Sequence, residues 1–352
     1  MGNSVDVFTT SLLSLESGRT WRTRVASTQA TGTVRYLATP IRFRWMGLTP
    51  SVLTHLRAQQ PPDIVHIFGF RDPLGTSVAT WCSVRGVPYV FEGLGMVEPK
   101  LRKVQLKRLL DATVFRSVPR RAALLVATSE RERREYLSAG IDPGRIAIRP
   151  NGFPDLGATP PGGTLRRLIG IDASTPLVVS VGRVARGKGL DLLVEAVSTL
   201  PGVHAAIVGP DGGHGMTREL IDLRSRLGLD SRVHLIGPVD HEALPGVYVD
   251  ADVFTLPSAH ENFGLVAAEA AALGVPVIVS DRCGIAELFQ RGGGVVVPYS
   301  AGELRSALER VLSDPDLRHR LGAAGKTVAA EWSWPHVAQI QEDIYRLVLT
   351  RG

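Results

Sequence analysis

Short apolar, β-branched runs alternate with helical patterns along the whole chain, and this alternation limits the fold more than any other feature. In the first half the runs are VDVFTT, TVRYLAT, DIVHIFGF, VPYVFEG, ALLVATS and RIAIRP, with helical patterns over 50–59, 73–85, 102–118 and 129–139. In the second half they are PLVVSVG, HAAIVG, RVHLIG, DVFTLPS, VPVIVS and GGVVVP, again with helices between. Strand–helix alternation predicts an α/β fold of parallel sheets with helices on both faces. The pattern breaks once, at RPNGFPDLGATPPGG, whose Pro and Gly content reads as a hinge. The expected architecture is two doubly wound, Rossmann-like domains facing across a cleft, 1–153 and 154–333, followed by a terminal segment, 334–352. Such sheets bind ligands at the carboxyl ends of their strands.

Composition narrows the function classes. Hydrophobic residues make up 44% of the 352, which is incompatible with disorder. A net charge of +6 allows an anionic ligand but is too mild to argue for nucleic acid. Cys82 and Cys283 lie far apart without CxxC spacing, so neither a disulfide framework nor a cysteine metal site is predicted, and a reducing, cytoplasmic setting is. No apolar run reaches the roughly 18 residues of a membrane span. MGNSVDVFTT has no signal-peptide pattern.

Two stretches carry chemistry. In SVGRVARGKGLDLLVEAV a strand ends at Gly182, a loop carries Arg183, Arg186 and Lys188, and a helix begins near Gly189. Cations and free backbone N–H groups at a strand end and a helix start suit an anion. Gly189 follows the lysine where a P-loop needs Ser or Thr. Taken alone, a solvated basic turn accounts for the stretch equally well. In HENFGLVAAE a buried helix starts at Gly264, where a ligand can approach the backbone and the amides of Leu265 and Val266 face outward. Glu269 lies on the same face, one turn on, in a helix otherwise apolar. A buried carboxylate needs a partner. A vicinal diol such as a ribose 2′,3′ pair would serve, as would a core arginine or the helix dipole. Together the two stretches describe a nucleoside diphosphate site.

The Gly182-Arg183 and Lys188-Gly189 pairs, the ENFG run and the two glutamates eight residues apart resemble the retaining GT-B glycosyltransferases of family 4. The resemblance covers nearly the whole chain. It implies that Arg183 and Lys188 neutralise the donor diphosphate beside Gly182, that Glu269 holds the ribose, and that Glu261 contacts the donor sugar with the backbone of Asn262, Phe263 and Gly264 beside it. It also implies that the terminal helix crosses back onto the first domain. The expected function is a glycosyltransferase moving a sugar from a nucleotide sugar to a hydroxyl of a bacterial surface glycan or lipid-linked acceptor, without metal or cofactor. The DxD at Asp250-Ala251-Asp252 is read as structural.

Two departures stand against the pattern. The family places a strand, a Gly-rich loop and a helix ahead of the run matching VDVFTTS, so ~40 residues of the central βαβ region are expected to be lacking. A nucleotide-sugar-binding protein without activity is therefore the alternative. In VPYVFEGLGMV the family's histidine before the glycine is Leu94 here. Nearby, Glu92 can take a polar role. His66 can orient acceptor or sugar, or be a satisfied strand-end histidine, and His260 is a loop residue or a ligand. The segment 99–121 carries eight Lys or Arg and one Asp among apolar residues, a pattern open to peripheral contact with an anionic inner membrane face or to an ordinary amphipathic helix.

Overall fold

The structure is a computed structural model describing residues 4–10, 24–27, 32–43, 46–57, 60–98, 105, 109–111, 113–157, 160–213 and 215–351. The chain divides into two compact units. The first comprises Met1–Ala127, Glu132–Ile148 and Gln341–Gly352; the second comprises Thr128–Arg131 and Arg149–Ile340.

In the first unit, strands β1 (Val5–Thr10), β2 (Arg24–Ser27) and β3 (Gly32–Leu37) form one sheet, and β4 (Ile41–Phe43) pairs with β5 (Met46–Leu48). Strands β6 (Val65–Phe68), β7 (Tyr89–Glu92), β8 (Leu124–Ala127) and β9 (Ile146–Ile148) form a four-stranded parallel sheet in chain order. Strands β7 and β8 are buried along their whole length. Continuous apolar runs such as VPYVFEG and ALLVATS therefore sit in the middle of a covered sheet, as parallel strands require. The helix Pro73–Arg85 begins at Asp72, whose carboxylate caps the Gly75 amide at 2.9 Å, and ends at Gly86 in the left-handed conformation.

The helix expected over 102–118 is shorter. Residues 99–104, 106–108 and 112 lie outside the described residues, and with them five of the eight basic residues of the segment 99–121. Of the rest, 113–116 form turns and only Ser117–Arg121 is helical again. The amides of Thr113 and Phe115 both reach back to the Leu110 carbonyl, closing the helix there. Phe115 then turns inward, 5% exposed, against Phe70.

The second unit holds a six-stranded, all-parallel sheet of β10 (Leu177–Val181), β11 (His204–Val208), β12 (Val233–Gly237), β13 (Val253–Leu256), β14 (Val277–Ser280) and β15 (Val295–Val297). The spatial order is β12-β11-β10-β13-β14-β15, the 3-2-1-4-5-6 order of a Rossmann fold. Apolar clusters cover both faces. One contains Phe254, Phe263, Ala267, Ala270, Phe289 and Trp332; the other contains Leu193, Val197, Leu220, Leu304 and Leu308. Trp332, in the break between the last two helices, is 1% exposed and packs edge-on against Phe263 and Phe289. The break thus serves to put an indole into the core. The helix after it runs Trp334–Arg351, and its last part, Gln341–Gly352, belongs to the first unit. Among the described residues no helix is long and apolar enough to cross a membrane.

Candidate active site

The second sheet changes direction at β10. The chain builds β11 and β12 on one side of it, then returns to lay β13, β14 and β15 on the other. The helices that follow β10 and β13 pack into different apolar clusters, and a crevice at such a switch point is where open α/β sheets bind ligands. The two stretches singled out from the sequence are these two loops.

The loop after β10 is held by backbone. The Gly182 amide donates to the Val208 carbonyl and that of Val184 to Pro210, each at 2.9 Å, and Gly187 accepts from Ala259 at 2.7 Å. Gly189 ends the loop at φ +66°, where a Cβ would lie 1.9 Å from the Pro257 carbonyl oxygen. Only glycine permits that approach. With its path fixed by amides and carbonyls, the loop keeps its cations for other uses. Arg183 is exposed, Arg186 pairs at the surface with Glu219, and the Lys188 ammonium meets the Glu261 carboxylate at 2.5 Å. Lys188 and Glu261 side chains are 24% and 20% exposed, a partly desolvated pair.

The loop after β13 is stitched to the segment after β14. Gly284 donates to the Glu261 carbonyl at 2.9 Å and Ile285 to that of Phe263 at 2.8 Å. Phe263 is buried against Trp332, which fixes the turn leading to Gly264. At φ +115°, Gly264 starts the helix Leu265–Ala272 and offers no side chain to cap its first amides. Free first amides of a helix and the positive end of its dipole are chemically suited to an anion. Ala267 through Ala271 are all buried, as an all-apolar helix requires.

Glu269 is 7% exposed and has a partner within the protein. The Tyr248 hydroxyl, itself fully buried, donates to Glu269 Oε2 at 2.6 Å. Burial raises the Glu269 carboxyl above its ordinary value; the Tyr248 hydrogen bond, then the field of His241, offset part of the rise. Sequence reasoning missed Tyr248. It sits in the short helix Leu244–Val249, and an aromatic among apolar residues carries no sign that its hydroxyl faces a carboxylate on another helix.

The remaining candidates fall in different places. Asn262 Nδ2 donates to Thr128 Oγ1 at 3.0 Å, and exposed His260 lies 3.2 Å from Arg131. Asp250 accepts from the Leu165 amide at 2.6 Å and from the Gly163 amide, while Asp252 accepts from Leu177 and pairs with Arg166 at 2.8 Å. Both carboxylates of the DxD thus hold the entry to this unit. His66 and Glu92 belong to the first unit, with 3.5 Å between Nε2 and Oε2. The other His66 nitrogen is 2.8 Å from the Tyr345 hydroxyl, and Phe68 stacks on the ring. His66 is thus held within the first unit by Tyr345 and Phe68, and Leu94 stands 38% exposed at φ +51°. Cys82 and Cys283 are buried free thiols; burial pushes their pKa up to about 12 and about 11, so neither is a nucleophile.

Comparison with known proteins gives the family and the fold. The glycosyl transferases group 1 family matches residues 164–328, and the glycosyl transferase 4-like domain matches 1–152. D-inositol 3-phosphate glycosyltransferase of Gordonia bronchialis is 32% identical over 262 residues, 70% of this chain and 55% of that protein. The chain spans about half the length of the curated relatives it matches. Among solved structures, sucrose-phosphate synthase from Thermosynechococcus elongatus superposes with a TM-score of 0.79 at 26% identity, covering 100% of this chain and 90% of that one. Anabaena HepE in complex with UDP and glucose superposes at 0.71 and 22% identity, covering 90% and 85%. One half of the chain matches the 4-like domain, the other matches group 1, and the fold is theirs: the chain belongs to the GT-B glycosyltransferases.

Proposed function

We propose that the chain is a retaining, family 4 glycosyltransferase that moves a sugar from a nucleoside diphosphate sugar to a hydroxyl acceptor. The observation that carries this reading is the meeting, at one switch point, of a lysine–glutamate pair, an uncapped helix start and a buried carboxylate. The diphosphate sits against Lys188, Arg183 and the Leu265–Val266 amides; the ribose diol takes Glu269; the sugar faces Glu261. UDP and glucose bound to a protein of the same fold, and relatives named for transfer to a phosphorylated inositol, support a nucleotide-sugar donor.

In the reaction the bond from the anomeric carbon to the diphosphate oxygen breaks, and its electron pair leaves with the diphosphate. The acceptor oxygen bonds to that carbon as its proton passes to the departing phosphate. Negative charge grows on the diphosphate, where fixed cations and helix amides stabilise it best. These groups take the place a metal would otherwise fill, and Asp250 and Asp252 are committed to backbone and Arg166. A bacterial surface glycan or lipid-linked precursor is the proposed acceptor. Peripheral contact with an anionic membrane rests on the charge pattern of 99–121 and requires salt-sensitive flotation with anionic liposomes.

Calorimetry with UDP, GDP and ADP tests the donor site. One diphosphate should bind well to the natural protein and weakly to Glu269→Ala and Lys188→Ala. Binding equal in all three proteins removes these residues from the site, and no binding of any nucleotide removes the reading. Given activity on the matching sugar, Arg183→Ala or Lys188→Ala should lower kcat on the order of 10²-fold.

A further inference from the structure

Lys188 and Glu261 have been assigned to different parts of the donor, yet in the structure they are bonded to each other. We infer that this ion pair is an exchange contact by which Glu261 makes the site prefer the sugar-bearing donor over the bare nucleoside diphosphate; the inference rests on the proposed donor site.

The geometry forces a choice. With Nζ and Oε2 only 2.5 Å apart, a phosphate oxygen reaching Lys188 enters beside the Glu261 carboxylate. Both side chains are partly buried, so the field between them is only partly screened. Glu261 is also poorly able to retreat. Its backbone is bridged to Cys283, its carbonyl accepts from Gly284, and the following residues lead into the buried Phe263. Lys188 has a four-carbon stem and can turn from carboxylate to phosphate.

The two ligands differ where Glu261 stands. A nucleotide sugar presents hydroxyl donors there, which satisfy the carboxylate after Lys188 leaves it. A bare diphosphate presents a terminal phosphate with an additional negative charge and no donor. The carboxylate then loses its cation, gains no hydrogen bond and faces an anion. The same residue therefore favours donor binding and, after transfer, expulsion of the diphosphate. Arg183, exposed at the start of the loop, supplies attraction without this penalty because it makes no pair with a carboxylate among the described residues.

The test compares UDP, GDP and ADP, each with its glucose conjugate, on the natural protein, Glu261→Gln and Glu261→Asp, by calorimetry. Glutamine removes the charge and keeps the shape; aspartate keeps the charge and withdraws it from Lys188. The expected result is that Glu261→Gln binds the bare diphosphate about tenfold tighter than the natural protein and binds the sugar conjugate no tighter, so the preference collapses. Glu261→Asp should move in the same direction by less. Product inhibition should strengthen in parallel. Unchanged or weaker diphosphate binding in both variants overturns the inference while leaving the donor site standing. Failure of the natural protein to bind any of the six ligands overturns the donor site itself.

Discussion

The carboxyl ends of the two parallel sheets are secured by different means. In the second unit backbone holds backbone: the Gly182–Gly189 loop hangs on amide–carbonyl bonds, and Gly189 presses against the Pro257 carbonyl. In the first unit side chains hold backbone. Buried Arg71 grips Asp111 through two bonds of 2.7 and 2.6 Å and also donates to the Met96 and Val97 carbonyls. Glu132 accepts from the Gly95 amide at 2.5 Å, and Tyr136 donates to the Val126 carbonyl while accepting from Gly93. The contrast bears on function. A loop held by its own amides does not need its charged side chains to keep its path, whereas a loop held by arginine and glutamate does.

The contrast predicts opposite sensitivities. The largest effect is expected at Gly189→Ala, where a methyl group meets a backbone oxygen that cannot move without displacing the loop after β13. Nucleotide binding should fall more than 10²-fold, with a loss of about 3 kcal/mol or more in stability, measured by calorimetry and thermal unfolding. A well-folded Gly189→Ala with normal binding would break the comparison on the second unit's side. The counterpart is Arg71→Ala. Arg71 is 6% exposed and its removal strands Asp111 and two carbonyls, so about 3 kcal/mol should be lost in denaturant unfolding of the first unit. The nucleotide affinity of the folded protein should be unchanged.

How much was legible in the sequence follows from the same contrast. Each strand run of the second half became a strand because six continuous β-branched segments have one economical arrangement, a covered parallel sheet. The charged residues at the switch point were visible because glycines flank them, and glycine marks where backbone must approach closely. Side-chain-to-backbone contacts leave no such mark. Arg71 reads as one basic residue among many, and Asp111 lies forty residues on in a segment whose pattern suggested an unbroken helix. Tyr248 was illegible for the same reason: its hydroxyl meets Glu269 through tertiary packing and not through spacing. The Lys188–Glu261 pair was hidden by its own plausibility, since each residue already had a ligand to explain it.

Smaller effects sharpen the comparison. Glu269→Gln removes a charge whose burial the protein offsets only in part. The carboxyl is raised in the folded state, so its stabilising contribution is full below the ordinary value of 4.5 and lost as pH rises through the folded value. At pH 7 the glutamine variant should therefore melt higher than the natural protein, and the gap should close as pH falls toward 4.5. Nucleotide binding should be lost in the same protein. A variant that is less stable at pH 7 would mean that the Tyr248 bond outweighs desolvation.

The smallest effect tests whether the first unit carries backbone strain that side-chain anchoring sustains. Leu94 lies at φ +51° and Arg71 at +62°, the two non-glycine residues described with positive φ. A leucine there costs roughly 1–2 kcal/mol relative to right-handed backbone. Leu94 is 38% exposed and so recovers little by burial. The turn is nevertheless pinned on both sides of it, by Tyr136 on the Gly93 amide and by Glu132 on the Gly95 amide. Leu94→Gly should relieve the strain and gain about 0.5 kcal/mol, the relief being larger than glycine's added entropy in the unfolded chain. The measurement is the denaturant midpoint at constant slope. In a Glu132→Ala background the gain should shrink, because an unpinned turn can relax by itself; an equal gain in both backgrounds would show that the strain belongs to the local sequence and not to its anchors.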